Sequence, residues 1–186
     1  MKLETTNEVH FGQLFKGLKK LCGNDPLRPV FRGAHIINGY IIATDAHHLV
    51  KIDLVKFFGI SKELVNQLNG KFIPIEILTE LERITKKEFV RIDSKGFHTH
   101  YKSMLFRDND FKIPDFDKVI EDDVKKESID TFNIRGHYLV NIQNIYTNEG
   151  LLIESLTINT FGPHKNLKIQ NKDKSFVGII MPLNIN

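Results

Sequence analysis

The chain has one cysteine, no tryptophan, no large excess of either charge and no long apolar run, and each shortage removes a class of protein. A lone Cys22 excludes an internal disulfide and a cysteine-built zinc site. The opening MKLETTNEVHFG lacks the apolar core of a secretory signal, and no segment approaches the roughly 20 apolar residues that span a bilayer. The expected location is therefore cytoplasmic. With 26 Lys and Arg against 23 Asp and Glu, the net charge is only +3. Bulk charge alone does not attract nucleic acid at that level, so any such contact depends on where the basic side chains sit. What remains is ordinary globular composition, 41% hydrophobic and 26% charged over 186 residues, enough for one large domain or one domain and a fraction.

Apolar spacing organises the chain into three cycles. In residues 10–22, Phe11, Leu14, Phe15, Leu18, Leu21 and Cys22 recur at helical intervals, and Gly23 reads as the helix's C-terminal cap. Pro26 and Pro29 restart the chain in extended form, and residues 30–37 and 40–44 read as strands joined at Asn38-Gly39, a strong hairpin signal. Residues 48–54 read as another strand. The second cycle has a strand at 72–73 and Pro74 in the first turn of a helix. That helix carries Ile75, Leu78, Leu81 and Ile84 and ends near Lys87, and strands follow at 89–92, 97–101 and 104–106. After an acidic, proline-bearing stretch at 108–123, the third cycle has a strand-like 132–134, a helix at 137–146 and strands at 156–161, 167–169 and 176–181. Strand, helix, then antiparallel strands, repeated at about 60 residues, indicates an α+β fold with hairpins.

Three segments, in order, resemble signature pieces of the bacterial DNA polymerase sliding clamp, the β subunit. Residues 28–54, RPVFRGAHIINGYIIATDAHHLVKIDL, are similar to the clamp's arginine, apolar strand, glycine, hairpin and Ala-Thr-Asp-Gly-His-Arg-Leu run. Residues 111–120, FKIPDFDKVI, resemble its Phe-Pro-Asp-Tyr turn, and residues 178–185, GIIMPLNI, its closing Val-Val-Met-Pro-Met-Arg-Leu. Phe132-Asn133 before a helix is similar to the entry to its final helix. The resemblance implies a DNA-clamp fold of repeated strand–helix–antiparallel-strand units. Residues 1–120 would form a complete domain like the clamp's central one, 121–131 a linker, and 132–186 a half domain like the second half of its last domain.

By the same resemblance, a peptide-binding groove would be walled by Phe31, Thr44, Ala46, His47, His48, Leu49, Pro114, Lys118, Val119, Ile179, Met181, Pro182 and Leu183. An apolar pocket with a flexible methionine and a few polar rim groups suits the anchors of a linear motif. Ala46 stands where the family has glycine and His48 where it has arginine, and Leu183-Asn184-Ile185 replaces Met-Arg-Leu, so the ligand motif is expected to be less polar. Helices lining a clamp touch phosphates, and the residues expected to face DNA are Lys16, Lys19, Lys20, Arg28, Arg83, Lys86 and Lys87.

The expected function is non-catalytic: a clamp-like processivity factor that docks linear motifs of polymerase or repair proteins and associates with double-stranded DNA independently of sequence. An alternative is a clamp-like adaptor or decoy that captures such motifs without encircling DNA. A remote third reading is a metal-dependent hydrolase using Asp45 and His47, with His98 and His100 as further metal-ligand candidates on one strand face. No cofactor is expected. A half domain calls for a homo-oligomer, with a dimer as the minimum and, by counting twelve units to a ring, a four-chain ring as the larger possibility.

Overall fold

Local chemistry sets the element boundaries in the computed structural model, which describes residues 2–3, 11–83, 90–120, 133–146, 156–161 and 165–183. Helix α1 (Phe11–Leu21) buries Leu14, Phe15, Leu18 and Leu21, the stripe its spacing predicts. Gly23 is no left-handed cap, contrary to expectation. Its amide donates to the Phe31 carbonyl at 2.8 Å, and a Cβ there would lie 3.3 Å from the Phe31 Cβ. A 3-10 turn, Pro29–Phe31, occupies the start of the expected first strand, so that strand begins only at Gly33.

Strand β1 (Lys2–Leu3) precedes α1, and β2 (Gly33–Ile37), β3 (Tyr40–Thr44) and β4 (His48–Asp53) follow it as an antiparallel meander. Asn38 and Gly39 join β2 to β3 with φ of +50° and +86°, the double-positive pattern of a type I′ hairpin turn. Two short helices, α2 (Leu54–Phe58) and α3 (Lys62–Leu68), fill a stretch to which the apolar pattern assigns no element. Each is started by a side-chain cap: Asp53 accepts from the amides of Val55 and Lys56, and Ser61 from that of Leu64.

The second cycle is β5 (Lys71–Pro74), α4 (Ile75–Glu82), β6 (Val90–Asp93), β7 (Gly96–His98), β8 (Ser103–Leu105) and the two-residue β9 (Arg107–Asp108). Pro74 closes the strand and caps the helix from outside, and α4 stops at Glu82 with Arg83 as its cap. Ile84, Lys86 and Lys87 lie outside the described residues. β7 ends at His98, which leaves His100 in the following turn and off the strand face.

Helix α5 (Phe116–Ile120) stands within the acidic, proline-bearing stretch, to which the apolar pattern assigns no element. The third cycle is α6 (Gly136–Tyr146), β10 (Thr157–Asn159), β11 (Leu167–Gln170) and β12 (Phe176–Ile180). Residues 133–134 precede α6 without being a strand in this chain, a departure from the expected 132–134 strand, whose Phe132 lies outside the described residues.

The strands form two sheets with antiparallel neighbours, one in the order β1-β6-β7-β8 and one in the order β10-β11-β12-β4-β3-β2-β5-β9. Helix α1 packs against both α4 and α6, and the main core lies between these helices and the sheets. Strand alternation sends Ala43, Val50 and Ile180 into that core. Ile42, Leu49 and Ile179 point to the opposite face, where α5 adds Phe116 and closes a smaller apolar cluster. Among the described residues no helix is long and apolar enough to cross a membrane.

Candidate functional site

Hydrogen bonds made by its own side chains fix the β3–β4 turn. Thr44 Oγ1 donates to the His48 carbonyl at 2.7 Å and accepts from the Ala46 amide at 3.0 Å. Asp45 Oδ1 accepts from the His47 amide at 2.8 Å, the His48 amide at 3.0 Å and His48 Nδ1 at 2.7 Å. Partial burial works to raise the Asp45 carboxyl, but the hydrogen bonds from the His48 side chain and from the His48 and His47 amides together outweigh it and hold the pKa below the usual carboxylate value. Ala46 sits in the left-handed region at φ +76°, which explains why a glycine would suit this position.

Two other segments are fixed to that turn. The amide of Met181, just past β12, donates to the His47 carbonyl at 2.9 Å. From α6, Tyr138 stacks on the His48 ring at 4.3 Å between centroids, and Asn141 Nδ2 approaches His48 Nε2 at 3.4 Å. His48 therefore lies buried, with both ring nitrogens engaged. Lys51 pairs with Asp117 and so ties α5 to β4.

These connections enclose a cavity of about 140 Å³. Phe31 and the turn residues Thr44, Ala46 and His47 line one side, with His48 and Leu49 at the start of β4. Pro114, Phe116 and Val119 come from the α5 region, and Ile179 and Met181 from the end of the chain's last meander. Leu49, Phe116 and Ile179 form a buried floor. Phe31, Ala46, Val119 and Met181 are half-buried, and His47 and Pro114 are exposed at the mouth. The polar side chains deeper in the wall, Thr44 and His48, bond within the protein, so the space offers apolar contact. It suits one or two aliphatic side chains rather than a large ligand.

Three residues expected in the wall are placed elsewhere. Lys118 is 79% exposed and 3.5 Å from Asp115. Pro182 and Leu183 lie half-buried beyond the cavity, and the Leu183 amide donates to the Asn133 carbonyl at 2.8 Å. Phe116 is the wall residue that the pattern missed. Its three-residue spacing from Val119 was the available signal for a short helix presenting both.

Of the basic residues expected to face DNA, Lys19 pairs with Glu82 across α1 and α4, Arg28 lies 3.7 Å from Asp25, and Arg83 lies 3.4 Å from Glu80. Among the described residues, Lys16 and Lys20 on α1 make no ion pair, and Lys20 is exposed.

The arrangement does not assemble hydrolase chemistry. Asp45 Oδ1 is committed to the turn and to His48, and the His47 ring stacks on Tyr138 at 6.4 Å. His98 bonds Asp93 and Ser103. Among the described residues no group of three or more His, Cys, Asp or Glu is placed to hold a metal ion. Burial pushes the Cys22 thiol up to about 12, with the Asp45 charge adding to the effect, which makes it an inert core group.

No protein-family model matches this chain, and no curated protein does. Solved structures do. The sliding clamp of Bartonella birtlesii, bound to griselimycin, superimposes with a TM-score of 0.64 at 13% identity, over 94% of this chain and 64% of that one. A putative DNA polymerase III β subunit from Eubacterium rectale gives 0.61 at 10% identity, over 100% of this chain and 65% of that one. The β subunit of Borrelia burgdorferi, in complex with a natural product, gives 0.61 at 11% identity, over 95% and 64%. The chain thus spans a little under two thirds of the length of the clamps it matches. Its architecture of helices backed by antiparallel meanders is the fold of the bacterial DNA polymerase III β subunit, the sliding clamp, over that share of the clamp's length.

Proposed function

We propose that this protein is a clamp-like, non-catalytic docking module of the cytoplasm, which receives short apolar linear motifs of polymerase or repair proteins in the cavity beside the β3–β4 turn. The observation that carries this reading is convergence. Segments near residues 31–49, 114–119 and 179–181, distant in sequence, meet around one small apolar space whose mouth is open and whose polar groups are already satisfied. Such a space rewards an entering aliphatic or aromatic anchor and little else. The chain would divide into a complete domain at 1–120, a linker at 121–131 and a half domain at 132–186.

The test is titration of a fluorescent clamp-motif peptide against the full chain. Met181→Ala and Val119→Ala, both at half-buried positions, should each weaken binding by about 1–3 kcal/mol with an unchanged circular dichroism spectrum. An unchanged affinity in both variants, or no binding by the parent protein, would overturn the reading.

The alternative, an adaptor that holds such motifs without encircling DNA, is favoured by one observation. Lys19, Arg28 and Arg83 each lie beside a carboxylate, which leaves Lys16 and Lys20 as the described residues expected to face DNA that make no ion pair. Retention on circular but not linear DNA would decide for the processivity factor. Either reading involves a homo-oligomer, with a dimer as the minimum and a four-chain ring as the closed form.

A further inference from the structure

We infer that a second copy of this chain completes the third cycle by laying its residues 133–134 along the free edge of β10, with the two chains exchanging these segments about a two-fold axis. This rests on the clamp-like reading only for the division into cycles.

The rule of assembly is visible twice within the chain. The strand before each helix pairs with the first strand after the other helix: β1, ahead of α1, pairs with β6, and β5, ahead of α4, pairs with β2. The pairing is reciprocal, each cycle lending its entry strand to its neighbour. The third cycle has the same parts. Residues 133–134 lead into α6, and β10 is the first strand after it among the described residues. The return contact is also repeated: β9 comes back to β5, and Leu183 comes back to Asn133. What is missing among the described residues is the exchange, since β10 pairs with β11 alone and 133–134 pair with no strand.

Burial shows the same gap. Across the large sheet a row of side chains faces the helices: Ala43 opposite Val50, Val50 opposite Gly178, Gly178 opposite Ile169, and Ile169 opposite Ile158. Ala43, Val50 and Ile169 are at most 2% exposed, whereas Ile158 at the end of the row is 54% exposed. At the opposite end the row is closed by an entry strand, with Ile73 paired to Ala34 and both wholly buried. Pro74, the residue outside the first turn of α4, pairs with Gly33, the first residue of β2. Carrying that register to the third cycle sets Arg135 against Thr157 and Ile134 against Ile158. The exposed isoleucine then meets the residue that occupies the place of Ile73. On α6, Val140 is 51% exposed, an apolar side chain that the paired helix of the second copy would cover, as α1 packs on α4. A two-fold contact gives each chain both halves of the exchange, so the β10 edge of each copy is covered.

The experiment is light-scattering mass of the full chain at micromolar concentration, followed by oxidation of an equimolar mixture of Ile134→Cys and Ile158→Cys chains. The native Cys22 is buried and stays silent. The expected mass is a multiple of two of the 21.5 kDa chain, and the mixture should form a covalent dimer that neither variant forms alone. Ile158→Lys should halve the mass with an unchanged circular dichroism spectrum, the position being exposed within one copy. A single-chain mass for the parent, or oligomers in which the mixture fails to cross-link, overturns the interface. Peptide binding by such a monomer would leave the docking reading standing, and a cross-linked dimer that ignores the peptide would remove only the docking reading.

Discussion

Ala46 is held at φ +76° by the hydrogen bonds of its neighbours and not by anything in its own side chain. The left-handed conformation costs an L-residue about 1–2 kcal/mol, part of which a glycine returns as extra freedom in the unfolded chain. Ala46→Gly should therefore stabilise the protein by about 0.5–1 kcal/mol, read as a higher urea midpoint at unchanged slope. His35 gives a prediction with a definite pH sign. Its ring is buried, with Nε2 donating to the Val30 carbonyl at 2.6 Å and Nδ1 accepting from Asn109 Nδ2 at 2.7 Å, so the neutral form fits and has no room for a second proton. Burial lowers its pKa, and the bond to Val30 opposes this only in part. Below the ordinary imidazole value near 6.5 the unfolded chain takes up the proton first. The stability His35 contributes is complete above that value and is lost as pH falls through the lower folded one. Denaturation midpoints should decline from about pH 6.5 downward, and His35→Gln should remove that part of the slope. A variant with the same slope would show that another group titrates.

At the scale of elements, the third cycle is joined to the first by close approach. A Cβ on Gly17 of α1 would lie 2.3 Å from Ile145 Cγ1 of α6, and one on Gly178 of β12 would lie 2.9 Å from Ile142 Cγ2. Gly17→Ala ought to help an isolated helix by about 1 kcal/mol. Here it should instead cost about 1–3 kcal/mol, because the two helices must move apart. Ile145→Ala should cost less in that background than in the parent, and simple additivity of the two would place the strain elsewhere. How much was legible in the sequence follows from the same kind of contact. Helix α1 could be read because a single apolar stripe, Leu14 to Leu21, meets a continuous core. The hairpin at Asn38-Gly39 could be read because the turn's φ values demand those residues. Helices α2, α3 and α5 are too short to show a period, and only their caps, Asp53, Ser61 and Gly59, announced α2 and α3. The cavity's wall was legible in outline because each segment carries its own local signal. The burial of His48 was not, because it depends on Tyr138 and Asn141 arriving from α6.

For the whole molecule, the proposed contact of the helical face with DNA makes a prediction whose size the ion pairs set. Lys19, Arg28 and Arg83 sit within ion-pair distance of carboxylates on their own chain, so engaging a phosphate would mean giving up or sharing those partners. Lys16 and Lys20 have no such partner among the described residues, and both lie on α1, the helix that packs against the other two. Each phosphate neutralised changes the slope of log K against log salt by about 0.9, so a face with so few free cations binds weakly and with a shallow slope. Measured by anisotropy on duplex DNA across a salt series, the parent protein should show modest affinity that does not depend on sequence. Lys16→Gln with Lys20→Gln should flatten the slope by about 0.9 for each lysine that contacts a phosphate in the assembled form. Binding that keeps its full salt dependence in the double variant would mean that DNA meets a different surface. Glu82→Gln frees Lys19 from its carboxylate partner without adding a cation and should steepen the slope, which separates a charge effect on this face from a loss of folding.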